Sequence, residues 1–173
     1  MSVTIRQVAA PEVAPLVPVL TELLRDAVDG GASMGYLPPL VSAEGEAYWQ
    51  EVGAAVAAGT TLLLVAEEDG QVLGTGQLVL ATKPNARHRA EVSKLLVHSR
   101  AYRRGIGRQL MLALEDVARQ HSRSTLVLDT LQGAGSELLY QGLGYTAAGV
   151  IPQFARTAGG ALEGTVVYYK LLS

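Results

Sequence analysis

Residues 97–114 read V-H-S-R-A-Y-R-R-G-I-G-R-Q-L-M-L-A-L, an apolar strand end, a basic turn with two glycines, and then apolar residues at helical spacing. This junction constrains the fold more than any other stretch, because it sets a helix N-terminus at the end of a strand near the middle of the chain. Gly105 and Gly107 let backbone approach a ligand closely, and the unpaired N–H groups of the first helical turn point outward. Arg103, Arg104 and Arg108 add positive charge to the helix dipole. The junction is built to hold a phosphate group.

The charge distribution agrees. Residues 1–69 carry ten acids and two bases, whereas residues 83–108 carry eight bases and the single acid Glu91. The net charge is only −2 and the basic stretch has little aromatic interleaving, which argues against nucleic acid as the anion. The longest apolar runs, such as residues 61–66, are far shorter than the ~20 residues of a membrane span. No basic segment followed by an apolar stretch opens the sequence, so a cytoplasmic protein with no membrane partner is expected. With no cysteine there is no disulfide, thiolate ligand or cysteine nucleophile. His88, His98 and His121 share no metal-ligand spacing, and no metal is expected.

The 173 residues suit one domain, 1–173. A strand is expected over residues 3–8, and after Pro11 a helix carrying Leu16, Leu20, Leu23, Leu24 and Ala27, its start blurred by Pro15 and Pro18. A glycine-rich loop over 29–36 and Pro38-Pro39 precede a second helix over 42–58. Strands over 60–67 and 71–81 form a hairpin about Asp69-Gly70, and a third strand spans 89–97. After the glycine turn a helix runs to about His121, followed by a buried strand over 125–129, a short helix over 136–141, and strands near 145–154 and 164–172. The order is α/β (α+β): a mixed sheet with helices on both faces.

Three phosphate-binding designs compete for the turn. A P-loop needs Gly-Lys-Ser/Thr five residues after a glycine, and no such run occurs. A dinucleotide fold asks for a third glycine where Leu110 stands, although Asp129 lies about 20 residues on, as that fingerprint requires. The third design is an Arg/Gln-x-x-Gly-x-Gly/Ala loop between a central strand and a helix. Tyr102-Arg103-Arg104-Gly105-Ile106-Gly107 has both glycines, with Tyr102 in place of Arg or Gln, and Tyr140-Gln141-Gly142-Leu143-Gly144-Tyr145 lies downstream.

In these two motifs and in element order over nearly its whole length, the chain resembles the GNAT acyltransferases. Within them it looks most like the tabtoxin-resistance acetyltransferases. That likeness rests on Gly30-Gly31-Ala32-Ser33-Met34-Gly35-Tyr36, Lys83-Pro84-Asn85, Arg89-Ala90-Glu91-Val92, Gly107-Arg108-Gln109-Leu110-Met111 and Leu128-Asp129-Thr130. The resemblance implies a central, mostly antiparallel sheet, acetyl-CoA as donor and a small amine as acceptor. It also implies that Tyr102, Arg103, Arg104, Gly105, Ile106, Gly107, Arg108 and Gln109 hold the pyrophosphate. Leu95, Leu96, Val97 and Ser136 would contact the rest of coenzyme A, with an oxyanion-binding N–H near Leu96 at a strand bulge.

Acetyl transfer to an amine needs a base, a stabilised oxyanion and a proton for the leaving thiolate. By resemblance Glu91 is the general base candidate; otherwise it is a carboxylate of the solvated sheet face paired with Arg89. Asp129, at the end of its strand, is a second base or an anchor for the acceptor's ammonium, or merely caps the next helix or turn. Tyr140 is the acid candidate, or a core aromatic. Ser33 and Tyr36 in the glycine-rich loop and Phe154 in the 151–154 segment are candidates to line the acceptor pocket. A homodimer through the apolar C-terminal strands is a further expectation. A coenzyme-binding sensor without catalysis, and an enzyme acting on a protein N-terminus or lysine, are the alternatives.

Overall fold

A computed structural model describes residues 2–173. Seven strands, β1 (Thr4–Gln7), β2 (Thr61–Glu68), β3 (Gln71–Leu80), β4 (Arg89–Val97), β5 (Thr125–Leu131), β6 (Thr146–Arg156) and β7 (Leu162–Leu171), form one sheet in the order β1-β2-β3-β4-β5-β7-β6. Every pairing is antiparallel except β4 with β5. Helices α1 (Ala10–Asp29) and α2 (Ser42–Ala57) cover one face, and α3 (Ile106–Gln120) and α4 (Ser136–Gly142) the other. Each face therefore has its own core, one built around Trp49, Leu20, Leu24 and Leu63, the other around Leu110, Met111, Leu114 and Leu126.

Sequence pattern explains the elements. β2 and β3 are buried on both faces and read as continuous apolar runs, as covered strands do. Their tight turn uses Asp69 and Gly70, both with positive φ (51° and 75°), the geometry of a two-residue hairpin loop. α3 approaches β3 closely because Gly74 and Gly76 lie beneath it. A Cβ at Gly74 would stand 2.8 Å from the Leu96 carbonyl and 3.2 Å from Leu110, and one at Gly76 3.0 Å from Leu114.

Several boundaries differ from the sequence expectation. α1 begins at Ala10, before Pro11, and runs through Pro15 and Pro18. All three prolines lie on its exposed face, so the carbonyls of Pro11 and Ala14, which lose their i+4 donors, are turned to water rather than buried. β5 continues to Leu131, which puts Asp129 inside the strand and not at its end. β1 is shorter than expected, and β6 and β7 each shift by one or two residues.

One irregularity matters most for function. β4 and β5 pair only at Arg89↔Thr125, Ala90↔Leu126 and Glu91↔Val127, after which both strands continue without each other. The sheet splits there, and the split is where the candidate site lies.

Candidate active site

Between the diverging strands is a cleft of about 550 Å³. β4 supplies Glu91, Ser93, Lys94 and Leu95, β5 supplies Asp129 and Thr130, and α4 supplies Ser136 and Tyr140. The loop between α1 and α2 contributes residues 33–37, with Ser33 and Tyr36 among them, and β6 contributes Phe154 and Arg156. The catalytic candidates Glu91, Asp129 and Tyr140 are thus brought to one cavity together with the acceptor-pocket candidates Ser33, Tyr36 and Phe154.

Glu91 and Asp129 lie on the same sheet face, since Glu91 is in register with Val127 and side chains alternate along β5. Glu91 is set above the usual carboxylate range, first by desolvation in the cleft and then by the Asp129 charge, with Lys94 and Arg89 opposing. Asp129 accepts a 2.7 Å hydrogen bond from the Thr165 hydroxyl of β7, so it caps no helix or turn. Glu91 makes no ion pair with Arg89, whose charge reaches it only at a distance.

Tyr140 is buried, its ring packed at 6.0 Å from the rings of both Tyr145 and Tyr168. Burial, and then the charge of Asp129, push its phenol up to about 12. The short helix that carries it is held at both ends. The Thr130 and Ser136 hydroxyls meet at 2.7 Å, Glu137 accepts from the Gly133 N–H at 2.7 Å and from Tyr168, and the Lys170 ammonium donates to the Leu143 carbonyl at 2.7 Å.

The expected bulge exists, but its place is Lys94–Leu95. Thr75 pairs with Leu96 and Gln77 with Ser93, so β4 carries one extra residue opposite Gly76. Lys94 absorbs it with φ 49°. Leu95 lines the cleft, while the Leu96 side chain is buried in one core, so that Leu96 can meet a ligand only through its main chain, and the partly buried Val97 packs against the opposite core.

The glycine turn takes the form expected of it. Gly105 is the N-cap of α3 at φ 76° and offers no capping side chain, and the first helical bond runs from the Gln109 N–H to the Gly105 carbonyl at 3.1 Å. The N–H groups of Ile106, Gly107 and Arg108 have no intrahelical acceptor. Arg103, held at φ 62°, and Arg108 and Gln109 are exposed. Arg104 instead reaches Glu68 at 2.6 Å, and Tyr102 is exposed to 56%. The Ile106 side chain is fully buried, so that position offers only backbone. A Cβ on Gly107 would touch Leu139 of α4 at 3.4 Å and Val97 at 3.9 Å, which sets this helix start directly beside the end of β4 and beside α4. An uncapped, cationic helix start is the arrangement a pyrophosphate fits.

Sequence reading missed Lys94, Arg156, Thr130 and Thr165 as cleft residues. Lys94 and Arg156 carried no motif. The bulge that turns Lys94 into the cleft and the late β6 that brings Arg156 to it are tertiary features with no local signature.

The GNAT acetyltransferase family model matches residues 32–145, which run from the loop before α2 through α4 and include the glycine turn and Tyr140. The chain belongs to the GNAT acetyltransferase family. It is accordingly an acyltransferase, and acetyl-CoA is the co-substrate of that family. Among solved structures it is similar to a ribosomal-protein-alanine N-acetyltransferase from Brucella melitensis, with 26% identity, a TM-score of 0.79, and 98% of this chain and 99% of that one covered. A putative acetyltransferase from Salmonella typhimurium, solved with its cofactor acetyl-CoA, aligns with TM-score 0.81 and 24% identity over 100% and 95% of the two chains. A phosphinothricin acetyltransferase from Sinorhizobium meliloti in complex with acetyl-CoA gives 0.80 and 20% over 100% and 90%. Among the described residues, no helix is long and apolar enough to cross a membrane.

Proposed function

We propose that this enzyme transfers the acetyl group of acetyl-CoA to the primary amine of a small molecule by direct attack in a ternary complex. The observation that carries the reading is the meeting of Glu91, Asp129 and Tyr140 in one cleft, beside a helix start free to take a pyrophosphate. Acetyl-CoA supplies the activated acyl group; the residues supply binding and proton handling. The free N–H groups at the start of α3, with Arg103 and Arg108, bind the phosphates, and a main-chain N–H at the Lys94–Leu95 bulge serves as oxyanion donor.

An alkyl ammonium of pKa about 10 has to lose a proton before it can attack. Glu91, held above the usual carboxylate range and still solvent-accessible, accepts it directly or through water, while Asp129 holds the ammonium in place. Tyr140 at about 12 stays protonated throughout the physiological range. Full transfer from it to a thiolate whose thiol resembles cysteine, near 8.5, is uphill by roughly 5 kcal/mol. Its contribution is therefore a hydrogen bond to the departing sulfur, with the proton's final delivery left to solvent or to the acid formed at Glu91.

The loop at 33–37 lines the cleft, which supports a small acceptor rather than a protein chain. A cytoplasmic homodimer completes the reading. β6 is an exposed edge strand bearing Val150, Ile151 and Phe154, a surface a second copy would cover.

An acetyl-CoA-dependent thiol-release screen over amino acids, amine toxins, polyamines and aminoglycosides tests the activity. With an acceptor in hand, Tyr140→Phe is expected to lower kcat about 10- to 100-fold with acetyl-CoA affinity unchanged. Full turnover by that variant removes the tyrosine from the scheme. Tight acetyl-CoA binding with no thiol released on any amine favours the sensor alternative.

A further inference from the structure

The cleft holds a cation to which acetyl transfer has so far assigned no role. Lys94 occupies the extra position of the β4 bulge with a left-handed backbone, which takes its side chain out of the strand's alternation. It lines the same cavity as Glu91 and Asp129, and its Nζ lies 5.2 Å from the centroid of the Tyr48 ring of α2. Tyr48 is itself fixed, accepting a 2.8 Å hydrogen bond from Gln77 of β3 and standing edge-on to Tyr36 at 6.3 Å. An ammonium resting on an aromatic face has an electrostatic partner that does not neutralise its charge.

Two carboxylates on one face of a partly desolvated cleft oppose each other's ionisation, and a base is useful here only while ionised. The groups facing them are Lys94 and Arg89 from β4, Thr165 from β7, Tyr140 from α4, Arg156 from β6 and Tyr36 from the loop. Tyr36 and Tyr140 are neutral at working pH. Arg156 gives one of its N–H groups to the Gly160 carbonyl of its own hairpin, at 2.7 Å. Arg89 acts on Glu91 from outside the cleft lining, whereas Lys94 lines the cleft and interacts with both carboxylates.

We propose that Lys94 is a positioning residue for the acyl transfer, the fixed counter-charge that keeps Glu91 ionised beside Asp129 while the Tyr48 ring holds its ammonium at the cleft wall. Burial lowers the Lys94 ammonium and the two carboxylates oppose that shift, so the ammonium and the carboxylates support one another while the carboxylates oppose each other. With Lys94 in place the cluster carries one net negative charge, which a single incoming ammonium neutralises. Without it the cluster carries two, and Glu91 takes up a proton at higher pH.

This inference rests on the acetyl-transfer reading only for its kinetic consequence, so the experiment reads both levels. Carboxyl-carbon NMR titrations of wild type, Lys94→Met and Lys94→Arg follow Glu91 and Asp129 directly, with or without turnover. In Lys94→Met the Glu91 titration is expected to move to higher pH, and in Lys94→Arg to return. The acid limb of kcat/KM should move the same way by about half a pH unit, a roughly threefold loss of rate on that limb, with acetyl-CoA affinity unchanged. Titrations that superpose in wild type and Lys94→Met overturn the proposal, even in an active enzyme. A titration that moves in a protein turning over no amine upholds the counter-charge and sinks the acetyl-transfer reading instead. If Lys94→Met does not fold, Lys94→Gln carries the same test.

Discussion

The helices of this protein begin in two different ways. α1 and α2, which only cover the sheet, open with a carboxylate of their own: Glu12 accepts from the Ala9 N–H at 2.8 Å, and Glu44 from the Val41 N–H at 3.4 Å. None of the three has a capping side chain at its N-cap, but α3 alone opens with a left-handed glycine and carries no acid in its first turn. A helix start that carries its own carboxylate has its positive end countered on folding, whereas one that carries none is open to an anion from outside. The contrast singles out α3, without reference to any motif, as the helix start with no anion of its own.

The comparison can be broken by closing the open end. Arg108→Glu places an acid in the first turn of α3, as Glu12 and Glu44 sit in theirs. Acetyl-CoA affinity is expected to fall at least about tenfold by calorimetry, while thermal stability holds or rises slightly through the dipole. Undiminished affinity would mean that the helix start is not the anion site. The converse change, Glu12→Ala, opens a structural end. It should lower unfolding stability by about 1 kcal/mol in denaturant titration and leave acetyl-CoA affinity alone. A smaller effect separates the arginines of the turn. Glu68→Gln releases Arg104 from its ion pair and is expected to tighten acetyl-CoA about twofold, a gain that should fade as salt is raised. No change would assign Arg104 to structure alone.

Sequence alone revealed what local chemistry determines. The glycine turn, its arginines and the amphipathic α3 were legible because φ, charge and helical period are all written in adjacent residues. Glu91 stood out as the lone acid of a basic stretch, and Tyr140 through its glycine-aromatic context. The start of α1 was obscured because three prolines within eight residues argue against a helix, and only the tertiary fact that all face water removes the objection. Lys94 was invisible for a related reason. In a regular strand it would follow the alternation of β4, and the bulge that redirects it depends on how β3 and β4 register around Gly76. Asp129 was read as the end of its strand. It faces the cleft because the sheet parts beside it, although its own strand continues.

That parting leaves the sheet with two strand edges in its interior as well as those at its rims. Beyond Glu91 and Val127, the facing backbone groups of β4 and β5 have no ladder partner. Outer edges invite unwanted pairing, but an inner edge is reached only by something slender enough to enter the gap. A linear ligand bearing amide groups can satisfy those N–H and C=O groups as a short substitute strand. The coenzyme's arm would then join the architecture it binds. Saturating acetyl-CoA should accordingly slow amide exchange along residues 92–97 more than along the fully paired β2.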